Sequence, residues 1–495
     1  MKSGTRNLIA VAVGVVVLGG LVAVLQLTGK GEESSSSAET SSSIQLVSKK
    51  SEDVASMKVT NSKGGYTLVP EKKPAASSSV SSGSASSAIA DDEVGYTVQG
   101  LEGLPVNTSE TSSVIQNGFS LVASKDLGTV SDLGDYGLAS PQATVDIACK
   151  DGRSYHYKIG KVSATDQSSY YMCGADSSNV YIVSVDSGLL ENANYFIDKD
   201  LTAIGTTDEN GNSTAPTLFT KIELSGKNYP QNVVLSKQGD DMKITAPEQY
   251  DTDSNKLSAV ETALSSLSAD TVEAVKPDAA ALKQYGLDQP AAVVEFTADK
   301  KTYKLTAGAK KDGNYYVMFN DVAVVYGISS SKIGAWVEAN LFAFRNRLIY
   351  LPNIETVKSF TVKVGDTENE LNVARTKDES KSTEDKPAYT YKLTGNGGKT
   401  LDYEDNYKNF YQTAIGVQLL EPADKIPEGK PDLTFEYRYF DKRTVDTIQF
   451  IKSADRRYTV VFNGKAFGVV TQDDIDAVKN SILLLESGKS VPEPA

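Results

Sequence analysis

The chain has 495 residues, more than one hydrophobic core normally supports, and therefore predicts about two to four domains. Its apolar fraction of 40% and charged fraction of 23% are typical of a folded protein. The formal net charge of -14 disfavours nucleic-acid binding, because an acidic surface repels phosphate groups.

The N-terminal segment has the pattern of a membrane anchor. Lys2 and Arg6 precede Leu8–Leu27, an uncharged apolar run that is long enough to cross a bilayer core of about 30 Å. The positive-inside rule places residues 1–7 in the cytoplasm and the bulk of the chain outside the membrane. A cleaved signal peptide is the alternative, although residues 26–30 lack a small-residue cleavage pattern.

Two Ser-rich stretches separate the folded parts. Residues 28–44 predict a flexible tether, and the stretch near 75–90 predicts a disordered insertion. Self-comparison then predicts three tandem units of similar size, at 45–200, 215–350 and 353–487.

The repeat is clearest after a proline. PQATVDIACKDGRSYHYKIG from Pro141 matches PAAVVEFTADKKTYKLTAG from Pro290. In both copies the proline closes a Tyr-Gly-Leu-x-x-Pro stretch. A weaker third copy starts at Pro431 and lacks Tyr-Gly-Leu. The stretch consists of Tyr136, Gly137, Leu138 and Pro141 in the first unit, and of Tyr285, Gly286, Leu287 and Pro290 in the second.

Each unit predicts several strands and a few helices. Alternating apolar residues at 222–224 and 233–235 predict strands, and Thr471 with Asp474 predicts a helix N-terminus stabilised by a capping box. An amphipathic helix is predicted from the spacing of Leu257, Val260, Leu264 and Leu267. The predicted fold class is α+β, as about three tandem units with largely antiparallel sheets after a single N-terminal transmembrane helix.

The Tyr-Gly-Leu-x-x-Pro stretch predicts a helix stop. A short helix would end at Tyr285, Gly286 would take the left-handed conformation, and Leu287 would pack back on the helix. Replacing Gly286 with Val is then expected to destabilise the unit by about 1 kcal/mol or more. The alternative is that Tyr136 and Tyr285 line a groove.

The sequence offers no catalytic constellation. His156 is the only histidine, and its neighbours predict a surface position in a strand. Asp251-Thr-Asp253-Ser-Asn255 begins like a calcium loop, but Lys256 stands where that loop requires Gly, so a helix N-cap is favoured. We therefore predict neither a metal nor a cofactor. Cys149 and Cys173 form either one disulfide or two unpaired buried thiols.

A family resemblance follows from these features. The N-terminal anchor, the Tyr-Gly-Leu-x-x-Pro stop, the strand ending in Lys158-Ile159-Gly160 and the Tyr-Tyr and Val-Tyr strands after it resemble the bacterial domain-of-unknown-function family 4340. The resemblance covers most of residues 50–345 and only weakly the third unit. It implies a single-pass extracytoplasmic protein linked to ABC-type export systems of the gliding-motility or auxiliary-transport kind. It implies no catalytic residues.

Three functions are considered. The leading hypothesis is a non-catalytic, membrane-anchored extracytoplasmic protein that acts as an accessory or scaffold beside a membrane transporter, with the transporter subunits as partners. The second is a cell-surface module that binds glycan or peptide through Tyr-rich sheet faces. The third is a hydrolase that uses a pair among the 64 acidic residues. The sequence makes no prediction of the oligomeric state.

Overall fold

The computed structural model describes residues 43–71, 94–174, 178–205, 219–383 and 387–494. The predicted cytoplasmic tail, the membrane anchor, nearly all of the Ser-rich tether and the whole predicted insertion near 75–90 lie outside these residues. Within the described part of the chain, no helix combines the length and the apolar character needed to cross a membrane.

The described chain contains 27 strands and seven α-helices. The strands are β1 (Ile44–Ser48), β2 (Val54–Asn61), β3 (Tyr66–Pro70), β4 (Tyr96–Val98), β5 (Ser120–Thr129), β6 (Ala143–Cys149), β7 (Ser154–Val162), β8 (Tyr170–Gly174), β9 (Asn179–Val183), β10 (Asp200–Ala203), β11 (Lys221–Ser225), β12 (Val233–Gln238), β13 (Asp241–Ala246), β14 (Ser266–Ser268), β15 (Thr271–Val275), β16 (Ala292–Ala298), β17 (Lys301–Lys311), β18 (Asn314–Phe319), β19 (Val324–Ser329), β20 (Val357–Val364), β21 (Thr367–Lys377), β22 (Tyr389–Thr394), β23 (Thr400–Leu401), β24 (Leu433–Tyr439), β25 (Val445–Ala454), β26 (Arg457–Phe462) and β27 (Lys465–Thr471). The helices are α1 (Thr108–Phe119), α2 (Ser254–Ser265), α3 (Ala279–Gln284), α4 (Ser330–Val337), α5 (Leu341–Phe344), α6 (Lys408–Ile415) and α7 (Gln472–Ser487).

The predicted α+β class is wrong, because the protein is mostly antiparallel β-sheet. Strands account for 44% of the structure and helices for 22%. The helical patterns in the sequence correspond to short segments, of which α7 is the longest at 16 residues. Strands joined by short turns occupy most of the remaining chain. The transmembrane helix that completed the predicted class is not part of the described fold.

The chain divides into two compact units. The first comprises the described residues up to Val54 together with those of Gln116–Asp186. Its six strands lie in the order β1-β5-β9-β8-β7-β6. A small core forms where the end of the first Tyr-Gly-Leu stretch meets β8 and β9, and its buried members are Leu138, Tyr171, Cys173, Val180 and Ile182.

The second unit comprises Ala55–Ile115 and the chain from Ser187 onward. It contains β2, β3 and β4 as neighbours, the pair β10-β14, and two eight-stranded sheets. The first eight-stranded sheet has the order β13-β12-β11-β16-β17-β18-β19-β15. The predicted strand at 222–224 pairs with that at 233–235, so that Ile222 lies opposite Leu235.

The other eight-stranded sheet has the order β23-β22-β21-β20-β24-β25-β26-β27. Seven of its strands, in the order β22-β21-β20-β24-β25-β26-β27, follow the same path as β13-β12-β11-β16-β17-β18-β19. Its core contains stacked aromatic rings, with the Phe360 centroid 4.3 Å from that of Tyr437. The two sheets are therefore copies of one topology.

The first compact unit follows part of the same topology. Its order β6-β7-β8-β9-β5 corresponds to β16-β17-β18-β19-β15. In β6 and β16 alternate residues are buried in the same pattern, because each strand has one face on a core. The tandem similarity in the sequence thus reflects a repeated order of strands.

Most of the α-helices in the described chain begin at side-chain caps, and α6 is an exception. Thr471 and Asp474 form the predicted capping box at the start of α7, which confirms that prediction. Helix α2 buries Val260 and Leu264 as predicted but ends at Ser265. Leu267, which was predicted to continue this helix, lies in β14 instead, where its backbone N–H donates to Thr202 Oγ1 at 2.9 Å.

Candidate functional site

The candidate site is built around Arg345, which follows α5 in the second compact unit. Two antiparallel segments fix its backbone: Asp253 N donates to Phe344 O at 2.8 Å, and Asn346 N donates to Asp251 O at 2.8 Å. A bridge between Thr252 and Arg345 lies between these two bonds. The position of the Arg345 side chain is therefore set by the main chain on both sides of it.

The guanidinium of Arg345 lies in the corner between two aromatic rings. Its Cζ is 4.1 Å from the ring centroid of Tyr250 and 3.8 Å from that of Phe467. The two centroids are 6.1 Å apart. A desolvated guanidinium over an aromatic face gains about 0.5–2 kcal/mol from each such contact. The rings thus offset part of the cost of burying this charge.

No carboxylate in the described part of the chain forms an ion pair with Arg345 to offset the remaining cost. Arg345 is only 6% exposed, and its Nη1 donates to Phe467 O at 2.9 Å. Its Nη2 has no hydrogen-bond partner among the described residues. Burial lowers the pKa of Arg345, but an arginine starts so far above neutrality that it stays charged. Burying a charged donor without a partner costs free energy, and such a group can donate a hydrogen bond to a bound anion.

The acidic side chains next to Arg345 are engaged elsewhere. Asp251 Oδ1 pairs with Lys243 Nζ at 3.0 Å. Glu248 Oε2 accepts a hydrogen bond from Tyr250 Oη at 2.8 Å. Neither carboxylate pairs with Arg345, whose buried Nη2 keeps an unused donor.

The cavity next to Arg345 has a volume of about 250 Å³. One wall is apolar or aromatic and the other is polar. The apolar wall consists of Tyr250, Leu348, Ile349, Tyr350, Leu351, Phe462 and Phe467, and the polar wall consists of Gln249, Asp251, Arg345 and Asn346. The residues come from three stretches of chain about 100 residues apart, so the cavity exists only in the folded unit.

A hydrogen-bonded cluster supports the aromatic wall. Tyr350 Oη and Tyr439 Oη each donate to Asp446 Oδ2, at 2.8 Å and 2.7 Å. Asn463 Nδ2 donates to Asp446 Oδ1 at 3.0 Å. Burial and the contact with Asp446 raise the pKa of Tyr350. Burial would raise the pKa of Asp446, but the hydrogen bonds that it accepts outweigh burial and lower it.

The cluster is therefore unsuited to proton transfer at neutral pH. Tyr350 stays protonated and Asp446 stays ionised, whereas a general acid or base needs a pKa near the working pH. Among the described residues, no group of three or more His, Cys, Asp or Glu side chains is placed to hold a metal ion. The only histidine of the chain, His156, is exposed in β7 of the first unit. The arrangement around Arg345 is therefore better suited to binding an anion than to proton transfer.

The second Tyr-Gly-Leu-x-x-Pro stretch forms a helix stop away from this cavity. Gly286 has φ +69°. Its N–H donates to Lys283 O at 3.1 Å, and Leu287 N donates to Leu282 O at 2.9 Å. These are the two bonds of a Schellman motif. Half-buried Pro290 then leads into β16.

The first stretch follows the same scheme on a single 3-10 turn, Leu133–Tyr136. Gly137 has φ +72°, and Leu138 N donates to Leu133 O at 2.9 Å. Half-buried Pro141 precedes β6. The tyrosines of both stretches pack edge-on or tilted against another tyrosine, with centroids 4.9 Å apart for Tyr136 and Tyr171. The matching distance for Tyr285 and Tyr316 is 4.6 Å.

The structure also places the two cysteines and the acidic stretch that resembles the start of a calcium loop. Cys149 and Cys173 are unpaired buried thiols in β6 and β8. Because β7 lies between these strands, two interstrand spacings of about 4.8 Å each separate them, more than a disulfide spans. Asp253 is the N-cap of α2, and its Oδ1 accepts from Lys256 N at 2.9 Å. This bond accounts for the acidic stretch without calcium.

The family comparison agrees with the repeated topology. The model of the Domain of unknown function (DUF4340) family matches the chain twice, at residues 87–278 and 243–423. Together the two matches span more than half of the chain. The chain belongs to the DUF4340 family. No curated protein and no solved structure matches it. The DUF4340 matches include Arg345 and Tyr250 but end before Phe467.

Sequence reasoning missed the site because no local spacing reveals it. Arg345, Tyr250 and Phe467 are far apart in the chain, and their meeting depends on the fold. One signal was present: the stretch FAFRNRLIY (342–350) places two arginines among apolar and aromatic residues. Such a pattern is unusual for a surface loop and typical of a guanidinium packed on aromatic rings.

Proposed function

We propose that this DUF4340 protein is a non-catalytic, single-pass membrane-anchored extracytoplasmic protein that serves as an accessory or scaffold component of an ABC-type transport system. The anchor in this proposal is Leu8–Leu27, with residues 1–7 in the cytoplasm. The uncharged apolar run after Lys2 and Arg6 supports this orientation. The features shared with the family support the link to transport.

The observation that carries the proposal is the character of the Arg345 site. A scaffold needs surfaces that bind and has no need for groups that exchange protons or hold metals. The cavity has a buried cation with a free donor, and its titratable neighbours Tyr350 and Asp446 are held away from neutrality. This combination suits recognition of a partner.

Crosslinking in intact membranes tests the proposal. A photo-crosslinking amino acid is placed at Leu351, which is 53% exposed at the rim of the cavity. The matched control is Leu483, 61% exposed on α7. We expect transporter subunits to be crosslinked from position 351 and not from position 483. Recovery of no transporter subunit from either position would contradict the proposal.

The anchor is tested separately. The protein should remain in the membrane pellet after alkaline carbonate extraction, and sequencing of its N-terminus should find the apolar run intact. Release into the supernatant, or an N-terminus beyond Leu27, would instead indicate a cleaved signal peptide.

A surface module for glycan or peptide is the second candidate, and the aromatic wall of the cavity favours it. Tyr350, Phe462 and Phe467 offer flat apolar area. The unpartnered guanidinium favours a peptide over a neutral glycan, since only an anion satisfies the charge. Binding of neutral oligosaccharides by the wild-type chain, unaffected by substitution of Arg345, would reverse this preference.

A further inference from the structure

The charges around the cavity limit what can occupy it. Arg345 and Lys243 are positive, whereas Asp251 and Glu248 are negative, so the neighbourhood as a whole is nearly neutral. A dianion such as a phosphate ester would be repelled by the two acids and would find one fully buried cation. A single negative charge matches the single buried cation.

The donors next to Arg345 suit a planar group with two oxygens. Arg345 Nη2 is one unused donor. Asn346 also lines the cavity, and its Oδ1 is occupied by Leu348 N at 2.9 Å. That bond orients the amide so that its Nδ2 is left as a second donor. A carboxylate can accept from both groups, one to each oxygen.

The opposite wall requires an apolar group. Leu348, Ile349 and Phe462 line the cavity, and Leu351 is exposed at its rim. The volume of about 250 Å³ is below the range of about 300–1,000 Å³ typical of drug-sized ligands. It therefore suits one small apolar group beside the carboxylate.

From these contacts we infer that the cavity binds a monocarboxylate that carries an apolar side group, as in an N-acylated amino acid or the C-terminal residue of a polypeptide. This inference rests on the proposed binding function and names the chemistry that the Arg345 site recognises. The carboxylate satisfies Arg345 Nη2 and Asn346 Nδ2, and the side group lies against Tyr350 and Phe462.

Calorimetric titration of the full-length chain in detergent, with micelles alone as the blank, tests the inference. The ligands are N-acetylphenylalanine and its amide, which keeps the ring and removes the charge. A peptide ending in Gly-Phe is compared with its amidated form in the same way. We expect both acids to bind and both amides to bind at least about tenfold more weakly, the loss typical of a charge-assisted hydrogen bond.

The two acids identify the source of the ligand. Tighter binding of the peptide acid than of N-acetylphenylalanine points to a protein C-terminus, because the rim around Leu351 then adds contacts. Equal binding points to a small acylated amino acid. Either result supports the chemistry of the site.

Three variants locate the binding. Arg345→Gln should weaken binding of the acids by about tenfold or more. Arg347→Gln should change their affinity by less than about twofold, since Arg347 is exposed and lies two residues away. Asn346→Asp keeps the oxygen that Leu348 N needs and adds a negative charge. Asn346→Asp should weaken binding of the acids by about tenfold. It therefore tests the site even if the Arg345→Gln chain fails to fold.

Several results would overturn the inference. These are no binding of either acid at about 10 mM, amides that bind as well as acids, affinity unchanged by Asn346→Asp, or inorganic phosphate that displaces the acids at lower concentration. Failure here is distinguishable from failure of the scaffold proposal. If neither acid binds but position 351 still crosslinks transporter subunits, the scaffold stands and the carboxylate site does not.

Discussion

Gly286→Ala isolates the role of the helix stop in the second Tyr-Gly-Leu stretch. Gly286 has φ +69°, so any side chain there adopts the left-handed conformation at a cost of about 1–2 kcal/mol. A Cβ at this position would also lie 2.9 Å from Ala309 N and 3.1 Å from Ala309 Cβ. Optimal contacts between such atoms are about 3.5–4.0 Å, so β17 would have to move.

The clash adds to the conformational cost. Forcing extra atoms into a packed region typically costs about 1–3 kcal/mol. Movement of β17 also threatens the hydrogen bond from Ala309 N to Tyr285 O, which is 2.8 Å long. We expect Gly286→Ala to lower the free energy of unfolding by about 2–5 kcal/mol.

Gly313→Ala is the matched control. Gly313 has φ +87°, and apart from its chain neighbours no heavy atom of the described residues lies within 4 Å of the position that its Cβ would occupy. It therefore carries the left-handed cost of about 1–2 kcal/mol without a clash. The difference between the two variants measures the close approach of the stop to β17.

Tryptophan fluorescence during urea unfolding reads out this part of the chain. The chain has one tryptophan, Trp336, which is fully buried in α4 against β16 and β19. With a slope of about 2 kcal/mol per M urea, Gly286→Ala should unfold roughly 1 M urea earlier than Gly313→Ala. Equal midpoints for the two variants would refute the steric part of the reasoning, and a wild-type midpoint for both would refute the whole of it.

Three further outcomes are expected. Asp253→Ala should lower the free energy of unfolding by about 1 kcal/mol through loss of the N-cap. Asp251→Ala should lower it by less than about 0.5 kcal/mol, because that side chain is 71% exposed. Calcium should leave the melting temperature of the wild type unchanged, and a rise with calcium would indicate a metal site. The lowered pKa of Asp446 contributes stability above about pH 4, and this stability is lost as pH falls through the pKa of the folded state. Between about pH 5 and about pH 3 the melting temperature of Asp446→Asn should therefore fall less than that of the wild type. Parallel plots of melting temperature against pH for the two chains would contradict this. Ellman's reagent should find both thiols, Cys149 and Cys173, after unfolding without reductant and neither in the folded chain; absence of thiol after unfolding would indicate a disulfide.

The helix stops were predictable because their physics is local. A glycine after a short amphipathic helix, followed by Leu and then Pro, specifies a left-handed residue and the two bonds of a Schellman motif within six residues. The reason for glycine on the facing strand was not predictable. A Cβ on Gly308 would lie 2.3 Å from Tyr285 O, and this contact joins residues that only the fold brings together.

The fold class was missed for a related reason. Helical periodicity is easy to detect, and α2 and α7 lie close to their predicted positions. Strands such as β21 and β22 carry many charged and polar residues on their exposed faces, which weakens the alternation that identifies them. Pairing along whole strands decides their structure, and pairing is a tertiary property. The sequence therefore overstated the helical share of each repeat.

Stability and recognition depend on different parts of this chain. The helix stops recur at corresponding places in the repeated topology, where their glycines allow a strand to approach closely, and they contribute no residue to the cavity. Arg345 and Asn346 lie instead in the stretch that leaves the first eight-stranded sheet of the second unit and pairs, at Leu348, with Gln418. A change at a stop should therefore alter the free energy of unfolding and leave carboxylate affinity in the folded fraction intact. Asn346→Asp should do the reverse, since it keeps its backbone contact and changes only the charge that the ligand meets.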